Sequence, residues 1–432
     1  MLSMLIISLM VCFGFINCRV YNIISSQTDP CPAEPCLMFS QFAHNVNIYL
    51  DTNTTLIFQP GNYMMNSTLT VENTVSFSMV SHSAHMGSAV TCTETVKFKF
   101  NNVHSVCVNK LKFIDCRQNR LTAVEQFTLE DSSFVGQRCS PGITLDLIQT
   151  TARILNTFFI DLKIAYSATT FEGTIRANQC NLTLKGCTFK NSDIVMLGEL
   201  KSNITAIQST FEGNKPESGS VLTFHTQCNV LVLNSTFYNN SGCDSLITTQ
   251  EVRVIINSSE IKNNVILCGV STSSNNIWAE YSDVKERSVL HIEQSILSIS
   301  ECEIRNNSET VITIRLSDLN VTKTKFMDNM GQTIISEMIF RETNTIHIID
   351  CRFIRVLQVF KTDGALMASG SIVNIIRSEF INFVADCGGA MNLRGCRVDI
   401  WNTTFDSNSA NDNGGAMYLQ GCMEHSVQQQ CS

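Results

Sequence analysis

The sequence predicts an all-β chain wound as a right-handed parallel β-helix of about thirteen coils, closed at its N-terminus by a short capping segment. Three observations carry this. An internal repeat recurs about every 24 residues, apolar residues stand two apart inside each copy, and prolines are scarce, six in 432 residues.

The repeat is anchored on an aromatic or aliphatic residue: Phe113, Phe134, Phe159, Phe189, Phe211, Phe237, Ile261, Val284, Ile304, Phe326, Phe353, Phe380 and Phe405. Seven and five residues before the anchor sits an apolar pair, such as Val230 and Val232 before Phe237 or Val398 and Ile400 before Phe405. Spacing of two places both on one strand face. A small residue, usually Ser, Thr or Cys, stands two before the anchor, as at Ser209, Ser235, Cys302, Thr324, Cys351 and Ser378. It marks a bend into a second, shorter strand. Asn follows three after the anchor at 214, 240, 264, 307, 329 and 408; Asn tolerates left-handed backbone, so a turn is expected there. A third apolar patch completes the unit, for example SVLTF from 220 or GGAMYL from 414.

A unit this small cannot bury its own apolar residues, so copies must stack on one another. Stacking would align the Ser/Thr/Cys, Phe/Ile and Asn positions into interior columns, and ladders of this kind stabilise parallel strands. A leucine-rich repeat would need a Leu-x-x-Leu-x-Leu line that no copy supplies, and propeller blades need about 40 residues or more.

The expected organisation follows. Residues 1–18, MLSMLIISLMVCFGFINC, read as a secretory signal peptide, because the apolar run is short for a membrane span and is followed by polar sequence. Residues 19–100 hold the cap and first coils, where CPAEPC at 31–36 precedes a short helix with Phe42, Val46 and Tyr49 on one face. Residues 101–422 are the coils, and 423–432 the start of a further coil that stops short, which suggests an incomplete chain.

Cysteine and sequon usage agree with secretion. Beyond Cys12 and Cys18, 17 of the 19 cysteines remain, many for a reducing compartment. Cys31 with Cys36, Cys116 with Cys139, Cys243 with Cys268 and Cys396 with Cys422 are candidate disulfides, the last three between neighbouring coils. Ten Asn-x-Ser/Thr sequons make Asn53, Asn66, Asn181, Asn203, Asn234, Asn239, Asn257, Asn306, Asn320 and Asn402 candidate glycosylation sites.

Phe-x-x-Asn at 211–214, 237–240, 326–329 and 405–408, together with Gly-Gly-Ala-Met at 388 and 414, resembles the repeats of polymorphic outer membrane proteins. The likeness covers roughly residues 100–422 and implies a β-helix with an adhesin role.

Chemistry leaves little trace. A net charge of −8 with only 16% charged residues provides no basic stripe for nucleic acid. There is no Asp-Asp, Gly-His-Gly or Arg-x-Pro-x-x-Arg motif of β-helix polysaccharide enzymes, no Gly-x-Ser-x-Gly elbow and no phosphate loop. His82 and His85 are the only near histidine pair, and Asp115 with Arg117 and Asp350 with Arg352 read as outward, salt-bridged charges. The expectation is therefore a secreted or cell-surface protein that is not an enzyme. It would have no catalytic residues, cofactor or metal, and would bind an extracellular protein or glycan along an extended face. A polysaccharide lyase or hydrolase and a structural matrix or coat element are the alternatives.

Overall fold

The computed structural model describes residues 18–25, 35–44, 53–83, 87–93, 97–136, 143–163, 173–216, 219–242, 244–266, 288–337, 343–356 and 364–431. It is a right-handed parallel β-helix of about 12 turns, 62% strand against 2% helix. Two compact units divide it, Met1–Cys187 and Thr188–Ser432.

Each coil runs through a long strand, a short strand and a third strand. In the second unit Asn229–Leu233, Thr236–Tyr238 and Ser245–Gln250 form one coil. The long and short strands pair in parallel with their equivalents one coil on, Val230 with Val254 and Phe237 with Ile261. Alternation does the sorting: Asn229–Leu233 buries its second and fourth residues, because successive side chains on a strand point to opposite faces.

The anchor residues stack as expected. Phe211 lies 4.6 Å from Phe237 with their rings 4° from parallel, and Phe326, Phe353, Phe380 and Phe405 continue the column at 4.7, 4.6 and 5.2 Å. In the first unit Phe113, Phe134 and Phe159 do the same.

One expected coil does not exist. Ile261 pairs directly with Ile304, so no coil lies between them to be anchored by Val284. Val284 lies outside the described residues, in the segment between Val265–Ile266 and Ser288–Glu293.

Most corners carry a residue in the left-handed region followed by a buried polar side chain, although Glu251 is followed by Val252 and Asn382 by Phe383. A single positive φ turns an extended chain sharply, and Asn, Asp and Gly enter that region most readily. At the first corner Gln208, Asn234, Ser258, Glu301, Lys323, Asp350, Arg377 and Asn402 have φ between 46° and 56°. The next residue is the small polar one noted in the sequence. Ser235 Oγ donates to the Leu233 carbonyl at 2.9 Å and accepts the Ser209 N–H at 3.2 Å. A hydroxyl or thiol in this column thus serves two backbone groups that burial would otherwise leave unpaired.

At the second corner the expected Asn column is present, but the left-handed residue stands one position earlier. Asn239, Asn263 and Asn306 carry the positive φ, while Asn240, Asn264 and Asn307 are buried. Asn240 Nδ2 donates to Asn264 Oδ1 at 3.0 Å and to the Phe211 carbonyl at 2.8 Å. The column is an amide ladder, not a row of turn residues.

The Gly-Gly-Ala steps are corners too. Gly388 and Gly414 have φ +65°, and a Cβ on either would collide with the carbonyls of Met391 and Met417; only glycine fits.

At the N-terminus the helix Phe39–His44 is the expected cap. Phe39 packs edge-on against Phe58 at 5.1 Å, and Phe42 lies 6.5 Å from Phe77. Val46 and Tyr49, and residues 1–17 of the expected signal peptide, lie outside the described residues.

Candidate functional site

The outward residues of the short strands form two columns in the second unit. Thr210, Thr236, Glu260, Glu303, Lys325, Arg352 and Glu379 follow one another in register, and Glu212, Tyr238, Lys262, Arg305 and Met327 run beside them. Adjacent coils are about 4.8 Å apart, so these side chains interact along the stack.

Two shallow grooves open on this surface and share Thr236. The larger, about 500 Å³, follows the first corner across four coils and brings Glu260, Glu301 and Glu303 together with Lys323 and Lys325. The smaller, about 360 Å³, is lined by Tyr238, Lys262 and Arg305. Glu260 links them: its carboxylate accepts from Lys262 Nζ at 2.7 Å and Arg305 Nη2 at 2.9 Å. Partial burial alone would raise the Glu260 pKa, but these two cations outweigh it and hold it below the ordinary value. Arg305 also faces Glu303 at 2.9 Å, and Lys262 lies 5.3 Å from the Tyr238 ring centre, a cation–π contact. Lys323 pairs with Glu301 at 3.5 Å. Lys325 has no carboxylate within ion-pair distance among the described residues.

The grooves therefore combine hydroxyls, carboxylates, ammonium groups and one phenol at coil spacing. Such a row can hydrogen-bond a linear, repetitive, polar ligand. Among the described residues no three His, Cys, Asp or Glu are grouped to hold a metal, and no helix is long and apolar enough to cross a membrane. In the first unit a cavity of about 30 Å³ lies in the apolar core beside Phe98, Phe113 and Leu121; its one polar lining residue, Asn119, is committed to bonds with the Phe98 N–H and the Cys116 and Thr144 carbonyls.

The sequence candidates distribute as follows. Asn66, Asn181, Asn203, Asn234, Asn239, Asn306 and Asn402 are exposed, and Asn257 and Asn320 half-buried. Asn53 is buried, 6% exposed, and accepts a hydrogen bond from Ser76 Oγ. Asp350 and Arg352 point outward, but each finds its partner one coil on: Arg377 grips Asp350 through two bonds of 2.7 and 2.9 Å, and Arg352 donates to Glu379 at 2.7 Å. Arg117 is buried rather than outward. His82 is exposed, and His85 lies outside the described residues.

The cysteine pairing needs correcting. Cys116 bonds to Cys92, at a Cα separation of 4.9 Å, and not to Cys139, which lies outside the described residues. Cys92 ends the short strand Ser88–Cys92, which pairs with Leu111–Ile114, so stacking brings the two thiols together. Cys396 and Cys422 do stack in successive coils but are free thiols. Each takes the serine role at its corner: Cys396 Sγ donates to the Arg394 carbonyl at 3.4 Å, as Ser371 Oγ does to Ser369 at 2.9 Å. Cys36 is disulfide-bonded; Cys31, Cys243 and Cys268 lie outside the described residues.

Sequence reasoning missed the grooves. Ser235, Ser259 and Cys302 of the first-corner column line the larger one, but most of the other residues are outward positions of several coils, which an alignment built on inward positions passes over.

No protein-family model matches the chain, and no curated protein does. Solved structures do. The A-module of the mannuronan C-5 epimerase AlgE4 of Azotobacter vinelandii is similar at 8% identity and TM-score 0.33, covering 91% of this chain and 93% of that one. The surface adhesin PfbA of Streptococcus pneumoniae is similar at 9% identity and TM-score 0.36, covering 84% and 85%. The PL6 alginate lyase AlyGC is similar at 9% and TM-score 0.29, covering 91% and 99%. At these values the likenesses say nothing about this chain's ligand. They do overturn the expectation that it is not an enzyme: the matched structures include an epimerase and a lyase alongside the adhesin, so a parallel β-helix without a recognised catalytic motif is no ground for excluding catalysis.

Proposed function

We propose that this is an extracellular β-helix protein that holds a linear glycan along the short-strand face of its second unit. The observation that carries the reading is the pair of grooves meeting at Thr236, with charged and hydroxyl groups repeating at coil spacing. A linear polymer laid along the stack meets a polar group at each coil step, the Thr236 hydroxyl, the Glu260 and Glu303 carboxylates and the Lys325 ammonium in turn, and Tyr238 offers a ring face for a sugar to stack on. The Cys92–Cys116 disulfide and the many sequons support an oxidising, secretory location.

A second reading is favoured by one feature. Glu301 and Glu303 share the larger groove with Lys323 and Lys325, and carboxylates and amines are the acid–base groups that polysaccharide cleavage uses.

The test is a glycan array probed with the purified full chain, followed by incubation with each glycan that binds. Binding that drops at least about tenfold, roughly 1.4 kcal/mol, in both Tyr238→Ala and Lys325→Ala supports the proposal. No bound glycan, or binding indifferent to both substitutions, refutes it. Release of reducing ends or unsaturated uronate selects the second reading.

A further inference from the structure

We propose that the exposed left-handed corners at Asn234, Asn239, Asn306 and Asn402 are N-glycan attachment sites, and that the glycans on Asn234 and Asn239 screen the groove. The inference rests on the extracellular reading above.

The four share a geometry that the other sequons do not. Each is exposed and sits at a φ of 48°, 54°, 53° and 49° in turn. Each is followed two residues on by Thr236, Ser241, Ser308 or Thr404, all partly accessible. Their side-chain amides have no hydrogen-bond partner among the described residues. The left-handed backbone swings the side chain off the coil, while the structural amide of the second corner belongs to the next residue, Asn240 or Asn307. A substituent on Nδ2 thus breaks no ladder. By contrast Asn53 is buried against Ser76, with no room for a substituent.

The chemistry requires a lipid-pyrophosphate-linked oligosaccharide as donor. The amide Nδ2 attacks the anomeric carbon, a C–N bond forms, the sugar–phosphate bond breaks, the amide loses one proton and the lipid pyrophosphate leaves. Transfer occurs on the unfolded chain, so the native structure acts afterwards. A chain carrying sugar on Asn53 cannot close its first unit, whereas one carrying it on a corner folds unhindered.

Position gives two of these glycans a consequence. Asn234 and Asn239 stand at the two ends of the short strand Thr236–Tyr238, and Asn234 itself lines the larger groove with Lys325. The groove spans three coil steps, about 14 Å, within reach of a branched chain of several sugars.

The full chain should be expressed in cultured eukaryotic cells behind a heterologous secretion signal and deglycosylated enzymatically in heavy-oxygen water, which converts each occupied Asn to labelled Asp. Label at 234, 239, 306 and 402, with none at 53, is expected; unlabelled 234 and 239, or full label at 53, overturns the proposal. Screening is read without any glycan ligand, from the rate at which an amine-reactive ester modifies Lys325, with Lys201 as an exposed control. The comparison is with Asn234→Gln/Asn239→Asp, substitutions that place at each corner a residue already found at an equivalent one, Gln208 and Asp328. If the glycans leave the groove open a third of the time, Lys325 should react about threefold faster in the variant, with Lys201 unchanged. Equal rates would show that the glycans do not screen the groove, whatever the fate of the binding proposal.

Discussion

Replacing Asn264 by alanine is the sharpest test of what holds the second unit together. Asn264 is fully buried. Its Oδ1 accepts from the N–H and from Nδ2 of Asn240, both at 3.0 Å, and its Nδ2 donates to the Phe237 carbonyl at 3.2 Å and to Asn307 Oδ1 at 3.1 Å. Alanine deletes all four bonds, each worth about 0.5–1.5 kcal/mol net, and leaves the Asn240 N–H buried without that acceptor. The sum is about 2–6 kcal/mol, and about 4 is the expected value. Because a solenoid can open coil by coil, the readout should be local. Hydrogen exchange followed by mass spectrometry over residues 229–266 should accelerate roughly a thousandfold, at about 1.4 kcal/mol per decade. The control is Asn320→Ala, on the outer face of Asp318–Thr322, expected to shift stability by no more than about 0.5 kcal/mol. If the two variants exchange alike, the amide ladder is not what stabilises these coils.

Three further outcomes follow from the same geometry. The Cys92–Cys116 bond closes a separation of 24 residues, for which loop-closure entropy gives about 3.5 kcal/mol; a non-reducing peptide map should recover it, and Cys92→Ala/Cys116→Ala should lower the melting temperature of the first unit. Burial pushes the Cys187 and Cys351 thiols up to about 11, so both should resist alkylation in the native protein at pH 8 and react once it is unfolded, a contrast that vanishes if they are accessible. The hydrogen bonds from Arg377 hold the Asp350 carboxyl below its ordinary value. A depressed carboxyl contributes above its unfolded-state pKa and loses that contribution as pH falls through the folded one, so any difference in melting temperature between the wild type and Asp350→Asn should be constant above about pH 5 and shrink below pH 4.

Much of this was legible in the sequence, because the inward face of a repeat obeys a strict period. Phe211, Phe237, Phe326, Phe353, Phe380 and Phe405 announce the aromatic column, and Ser209, Ser235 and Cys302 the first corner. Val284 misled because an apolar residue about 24 from its neighbours satisfies the pattern whether or not a coil is there; strand pairing of Ile261 with Ile304 decides it. The left-handed position was displaced by one because Asn239–Asn240, Asn263–Asn264 and Asn306–Asn307 are Asn doublets, and composition cannot say which member turns and which is buried. Cys92 was passed over because its coil precedes Phe113, where the repeat was first recognised. The groove was least legible of all: Glu260, Glu303 and Lys325 obey no pattern among themselves, since outward positions are released from the core that disciplines the others.

The unbroken register around residues 267–287 has a practical side. Lys262 still faces Arg305 and Gln250 still faces Glu293 on either side of that segment, so the strands it separates are paired as tightly as if nothing intervened. An insertion of this length between the paired strands leaves their register unaltered, because each strand is aligned by its neighbour in the stack and not by the chain that delivers it. That makes this connection a natural port for foreign peptides: an epitope or reporter spliced between Ile266 and Ser288 would be displayed at a fixed height on the stack, on a scaffold that does not depend on its sequence.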